Sequence, residues 1–226
     1  MTKRYQGELE SLLEAFWRQG LVLFGERVTE EYALQTPIFI DLRHKLYDDL
    51  SVLSSLGKAL HRKLESVVRE DPASAECGQQ LIGIPDTATP LALSTALVSQ
   101  ATSFPCGYGQ MRKEPAAYPG GQSGQSSYMG TKCNGRQITL IDDVMASGRT
   151  KLWAIDELEK EGLKVARVLV VVDREQGGDE KIEERGCPCH SLFTVSDVIN
   201  HYRETGKIDA ATARSALDLL KSKQFR

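Results

Sequence analysis

The run "VARVLVVVD" from Val165 to Asp173 constrains this chain more than any other stretch. Apart from Arg167 and the closing Asp173 it is wholly apolar, so a strand made of it must be covered on both faces, as in a parallel sheet between helices. A second apolar run, "QITLIDDV" (137–144), precedes it. Between them "GRTKLWAIDELEKEGLK" (148–164) has the period of an amphipathic helix, with Gly162 near its C-terminal end. Strand, helix, strand in this order predicts an α/β fold with a largely parallel sheet.

The same pattern extends both ways. Residues 79–85 ("QQLIGIP") read as a short apolar strand ended by Pro85, and 89–101 as the next helix. Downstream, 179–186 predicts a short helix, 190–195 a last strand, and 196–223 helical structure. Upstream, 7–19 and 48–70 carry helical apolar spacing, and "TPIFIDLR" (36–43) alternates like a strand able to pair at a sheet edge. From Gly107 to Gly135 the chain is rich in Gly, Ser and Gln and poor in aliphatics, which predicts a long loop, or two weak strands joined by one. Long loops inside compact domains are usually functional or disordered, and Arg112 and Lys113 open this one. There is no internal repeat and no linker, so the 226 residues are expected to form a single domain over 1–226.

With 41% apolar and 26% charged residues the composition is that of an ordinary soluble domain, and a net charge of −3 argues against a general nucleic-acid binder. No apolar run reaches the length of a membrane span, and "MTKRYQGELE" lacks a signal peptide's apolar core, so a cytoplasmic protein with no membrane partner is expected. Five scattered cysteines suit reduced thiols. The cluster "CPCH" (Cys187, Cys189, His190) matches no common zinc spacing and reads better as a buried turn.

Chemistry points to the loops at the carboxyl ends of the strands, where open α/β sheets hold their ligands. They are "PDTAT" (85–89), "DDVMASGRT" (142–150) and "DREQGG" (173–178). The middle loop runs straight into a helix, so the backbone N–H groups of Ala146, Ser147, Gly148 and Arg149 would offer a phosphate site. Asp142 and Asp143, just upstream, would repel a phosphate by itself. They make sense if the ligand also carries hydroxyls, as a ribose 5-phosphate does, or a magnesium ion. A strand-end turn with an Asp-capped helix would explain the same residues without a ligand.

"ITLIDDVMASGRT" resembles the phosphoribosyl-pyrophosphate (PRPP) signature of type I phosphoribosyltransferases. "TPIFIDLR", "MRKE" (111–114) and "VVVDREQGG" (170–178) narrow the likeness to the orotate phosphoribosyltransferases, including the domain of bifunctional UMP synthases. The resemblance implies a mostly parallel five-stranded sheet flanked by helices. It also implies a small N-terminal hood from roughly 1–45 plus the end of the chain, and a flexible loop over about 107–135. It implies transfer from PRPP to orotate, giving orotidine 5-monophosphate and pyrophosphate, with Mg2+ carried on PRPP rather than held by protein ligands. By the same resemblance Asp142 and Asp143 hold the ribose hydroxyls, Val144 to Arg149 take the 5-phosphate, and Thr87 lies in the pyrophosphate loop. Arg174 and Ala146 fall beside orotate, and Arg112 and Lys113 reach pyrophosphate across the interface of a homodimer.

Several positions depart from the family pattern. Ala116 stands where the loop lysine belongs, Pro115 and Pro119 stiffen that loop, Leu23 replaces an N-terminal lysine, and Glu30 and Glu31 replace a basic segment. Ala146 lacks a threonine hydroxyl that backbone N–H groups can replace. Each lost cation removes a charge-assisted hydrogen bond of roughly 1.5–3 kcal/mol, and two together would slow turnover by about a hundredfold. Lys132 and Arg136 are the candidate substitutes. A silent, ligand-binding homologue and a transferase for another base remain the alternatives. Elsewhere, Trp17 and Trp153 are expected in the core or at an interface, His44 and His61 at the surface or internally satisfied, and Thr89 either in the pyrophosphate loop or as a helix cap.

Overall fold

The computed structural model describes residues 3–25, 28, 37–70, 79–112, 127–130 and 137–222. Helix α1 (Lys3–Gln19) leads into β1 (Val22–Phe24) and β2 (Ile38–Ile40), then a 3-10 turn (Lys45–Tyr47) and α2 (Leu50–Glu70). The alternating part follows as β3 (Gln79–Gly83), α3 (Ala88–Ser99), β4 (Cys106–Met111), β5 (Tyr128–Met129), β6 (Gln137–Met145) and α4 (Arg149–Lys160). It continues through β7 (Val165–Asp173), α5 (Gly178–Glu183) and β8 (Cys189–Thr194) to α6 (Val195–Glu204) and α7 (Ala210–Ser222).

The main sheet runs β5-β4-β3-β6-β7-β8, with five parallel strands and the two-residue β5 antiparallel at the edge. The apolar run over 165–173 is β7, and its two faces feed two cores. Leu169 and Val171 join the core under α1, α2, α3 and α6, while Val168 and Val170 join the one under α4 and α5. Arg167, the polar residue inside the run, is buried and donates to the side-chain oxygens of Gln79 (2.8 Å) and Gln137 (2.6 Å), so its charge is solvated by amides at the strand starts.

Ile38–Ile40, expected as a strand able to pair at a sheet edge, pairs antiparallel with Val22–Phe24 in a separate two-stranded sheet. The main sheet also takes in β4, which the sequence disguises with Gly107 and Gly109. Glycine is needed there because the Tyr128 ring lies against the strand: a Cβ on Gly109 would stand 2.6 Å from Tyr128 Oη and 2.9 Å from Gln80 Nε2. Of the two readings of 107–135, two weak strands with a connection is the one that forms, and residues 113–126 and 131–136 lie outside the described residues.

The small sheet is anchored to the end of the chain. Trp17 lies 6.3 Å from Phe24 and 5.1 Å from Tyr202, ring centre to ring centre, and Tyr202 Oη donates to Leu13 O at 2.7 Å. Trp17 and Trp153 thus both pack against core residues. Leu23 is fully buried in this sheet. In "CPCH", Cys187 is buried after α5 and Cys189 begins β8. Burial pushes the first thiol up to about 11 and the second to about 12, so both are protonated thiols at neutral pH.

Candidate active site

A cavity of about 390 Å3 opens at the carboxyl end of the sheet. It is walled by the segment from Phe39 to His44, by Ile84, Pro85 and Thr87 after β3, by the β6–α4 turn, and by Arg174 after β7. Of the residues singled out in the sequence, Asp142, Asp143, Val144, Ala146, Thr87 and Arg174 share this wall. Ser147 and Gly148 complete the turn into α4, and Arg149 is its exposed first residue. Arg112 stands at the end of β4, away from the cavity, with its guanidinium against Met129. Lys113, Ala116, Lys132 and Arg136 lie outside the described residues, as do Glu30 and Glu31.

The phosphate-type turn is shaped by a close approach of two loops. Gly148 caps α4 at φ 76°, and a Cβ there would meet Gly178 O at 2.8 Å. On the opposite loop a Cβ on Gly178 would lie 2.3 Å from Ala146 O and 2.7 Å from Gly148 N. Arg174 N donates to Met145 O at 2.9 Å, a second tie between the loops. Lys151 N and Leu152 N both donate to Gly148 O at 3.0 Å, and the helix N-terminus ahead of them is the positive end of the α4 dipole.

The acid pair is less symmetric than its sequence. Asp142 is 5% exposed; its Oδ1 accepts from Asp143 N (2.9 Å) and its Oδ2 pairs with the ammonium of Lys151. Burial drives its carboxyl above the ordinary range, the Lys151 charge pulls it back, and the Asp143 charge adds to the rise. Asp143 is half-buried and accepts from Val144 N (2.7 Å).

On the facing wall Asp41, buried at the end of the small sheet, accepts from Arg43 N (2.9 Å) and His44 N (3.0 Å) and meets His44 Nδ1 at 3.0 Å. This Asx turn presents Arg43, whose Nε donates to Thr87 Oγ1 at 3.2 Å, while Tyr47 Oη donates to Thr87 O at 3.3 Å. Thr87, with Thr89 expected as the cap, is itself the residue before α3; Thr89 falls in the helix's first turn. His61 is buried, with Nε2 2.9 Å from Phe104 O.

Lys151 and Arg43 are the site residues that sequence reasoning missed. Position 151 sits in a helix whose polar face absorbs lysines without comment, and only the pairing with Asp142 turns it inward. Arg43 lies inside "TPIFIDLR", a motif read for its strand and not for its cation.

Asp173, closing β7, is pushed up to about 6, by burial first and then by the charges of Asp179 and Glu175, against the hydrogen bond from Glu175 N (2.9 Å). Because its folded value exceeds the ordinary 3.8, the folded state binds more protons between the two values, and stability falls as pH rises through that window. Asp173→Asn keeps the acceptor for Glu175 N. It is expected to raise the melting temperature at pH 7.5 by a few degrees, about 1–2 kcal/mol after solvent screening, and to change little near pH 4. Thermal melts at the two pH values check this.

Residues 62–195 match the model of the phosphoribosyl transferase domain. Among curated proteins, the uridine 5'-monophosphate synthase of Bos taurus is 30% identical over 96% of this chain and 42% of its own length. The orotate phosphoribosyltransferase of Aquifex aeolicus is 32% identical over 71% of this chain and 80% of its own. Among solved structures, the UMP synthase of Leishmania donovani superposes with a TM-score of 0.73 at 21% identity, over 94% of this chain and 42% of that one. The chain therefore spans less than half of the two synthases it matches. It belongs to the phosphoribosyltransferase family and, within it, to the orotate phosphoribosyltransferases, with the type I fold.

Proposed function

We propose that the chain transfers the 5-phosphoribosyl group of PRPP to orotate, releasing pyrophosphate. The observation that carries this is the convergence of three separate loops on one cavity: the β6–α4 turn, Thr87 after β3 and Arg174 after β7. The 5-phosphate fits the N-terminal turn of α4, the ribose hydroxyls fit the acidic end of β6, and the anionic base fits the half-buried Arg174 in the cavity wall. Arg43 and Thr87 stand on the side left for pyrophosphate. The reacting carbon needs no protein nucleophile in this scheme; the residues position the partners and balance charge as it becomes cationic.

Among the described residues no group of three or more His, Cys, Asp or Glu is placed to hold a metal ion. With Asp142 tied to Lys151, the donor set suits magnesium only as an ion borne by PRPP, where it would neutralise the pyrophosphate.

The active form is a homodimer. Arg112 stands outside its own cavity, and α3 exposes Leu93 (40%) and Leu97 (64%) one helical turn apart. Light scattering is expected to give twice the chain mass, and Leu97→Glu to shift it toward the monomer; a wild-type monomer contradicts the dimer.

The test of the activity is orotate consumption with PRPP and magnesium, followed by ultraviolet absorbance. The buried Leu23 favours a second reading, since it leaves the hood without the cation expected there: a member that binds PRPP without turning it over. Saturable PRPP binding with no loss of orotate absorbance selects that reading.

A further inference from the structure

Lys151 is the third residue of α4 and only 4% exposed, although it forms part of the cavity wall. Its ammonium meets Asp142 Oδ2 and the carbonyl of Val144, with Thr150 Oγ1 at 3.4 Å. The remaining oxygen of Asp142 accepts from Asp143 N. Both carboxylate oxygens of Asp142 are therefore engaged inside the protein. Asp143 is different: it is half-buried, lines the cavity, and its charge, after burial, raises the Tyr47 hydroxyl that bonds Thr87 O.

Resting on the phosphoribosyl reading above, we infer that the two acids are divided in labour. Asp142 and Lys151 form a closed ion pair that braces the turn and does not touch the ligand, and Asp143 alone reads the ribose hydroxyls. Releasing Asp142 to a hydroxyl would leave a buried ammonium without its counter-charge, a larger penalty than one charge-assisted hydrogen bond returns. The pair also resolves the difficulty of two carboxylates beside a phosphate site. Lys151 cancels one of them, so an incoming phosphate meets a single uncompensated negative charge. Lys151 is thus a positioning residue whose effect runs through Asp142.

Charge compensation separates this from a merely structural role. PRPP with magnesium is titrated calorimetrically into the wild type, Lys151→Met, Asp142→Asn, Asp142→Asn/Lys151→Met and Asp143→Asn, each checked for a cooperative melt. Lys151→Met is expected to weaken binding at least about tenfold, because a bare carboxylate then faces the phosphate, and Asp142→Asn in the same chain is expected to restore it to within about threefold. Asp143→Asn is expected to lose at least about tenfold. If Lys151→Met does not fold, Asp142→Asn alone carries the test: it leaves the Lys151 ammonium unmatched beside the phosphate, so binding is expected to be no weaker than wild type. A doubly neutral variant, or Asp142→Asn, as weak as Asp143→Asn overturns the division while leaving the phosphoribosyl site standing. A wild type that does not bind PRPP overturns both.

Discussion

Gly178→Ala is expected to displace the phosphate turn and lower the melting temperature by about 3–10 °C, the range for an overpacking cost of about 1–3 kcal/mol in a chain of this size. Every atom the new Cβ would meet belongs to the opposing backbone, at Ala146 O, Gly148 N and Ala146 C, so no side chain can swing away to make room. The two loops must separate, and the cradle opens with them. PRPP binding should fall with stability. Gly7→Ala serves as the control: it lies in α1 with nothing within 4 Å of the new Cβ, and it should stabilise by about 0.5–1 kcal/mol through helix propensity. Thermal melts of the two variants with and without PRPP check the pair. Equal melting temperatures for Gly178→Ala and wild type would mean that the loops are not packed as described.

Arg174→Met is expected to lower kcat/KM for orotate by about a hundredfold or more, with a melting temperature close to wild type. A guanidinium facing a carboxylate-bearing base makes charge-assisted bonds that a thioether cannot replace, and two such bonds correspond to about 3 kcal/mol. The loop carrying Arg174 is stiff. Arg174 N is fixed to Met145 O, and Glu175, at φ 54°, is held by Asp173 on one side and by a hydrogen bond from Ser196 N (2.9 Å) on the other. Loss should therefore fall on the KM for orotate and leave the KM for PRPP nearly unchanged. Steady-state kinetics with each substrate varied in turn checks this, and an unchanged KM for orotate would remove Arg174 from the base site.

The parts of the fold that were legible are those where a single physical demand dominates the residues. A strand covered on both faces has to be apolar throughout, and the run over 165–173 is β7 with those bounds. A turn that enters a helix at positive φ and abuts another backbone requires glycine, and "ASG" and "QGG" supply Gly148, Gly177 and Gly178 where the two loops meet. The signal fails where one element takes its shape from another far along the chain. Strand β4 carries Gly109 because of Tyr128, and β1 becomes a strand by pairing with β2, neither of which local composition records. Asp142 and Asp143 look equivalent in sequence, and only the inward turn of Lys151 distinguishes them. Likewise the place of Thr87 in a strand-end loop was visible, but its bond from Arg43, 44 residues away in the chain, was not.

The most direct measurement is a crystal structure of the chain with ribose 5-phosphate bound. The account predicts phosphate density at the N-terminus of α4, within hydrogen-bond reach of the N–H groups from Ser147 to Arg149, with the ribose hydroxyls toward Asp143 and the Asp142–Lys151 pair intact. Density for the sugar phosphate elsewhere on the chain, or a cavity that stays empty at saturating ligand, would contradict it.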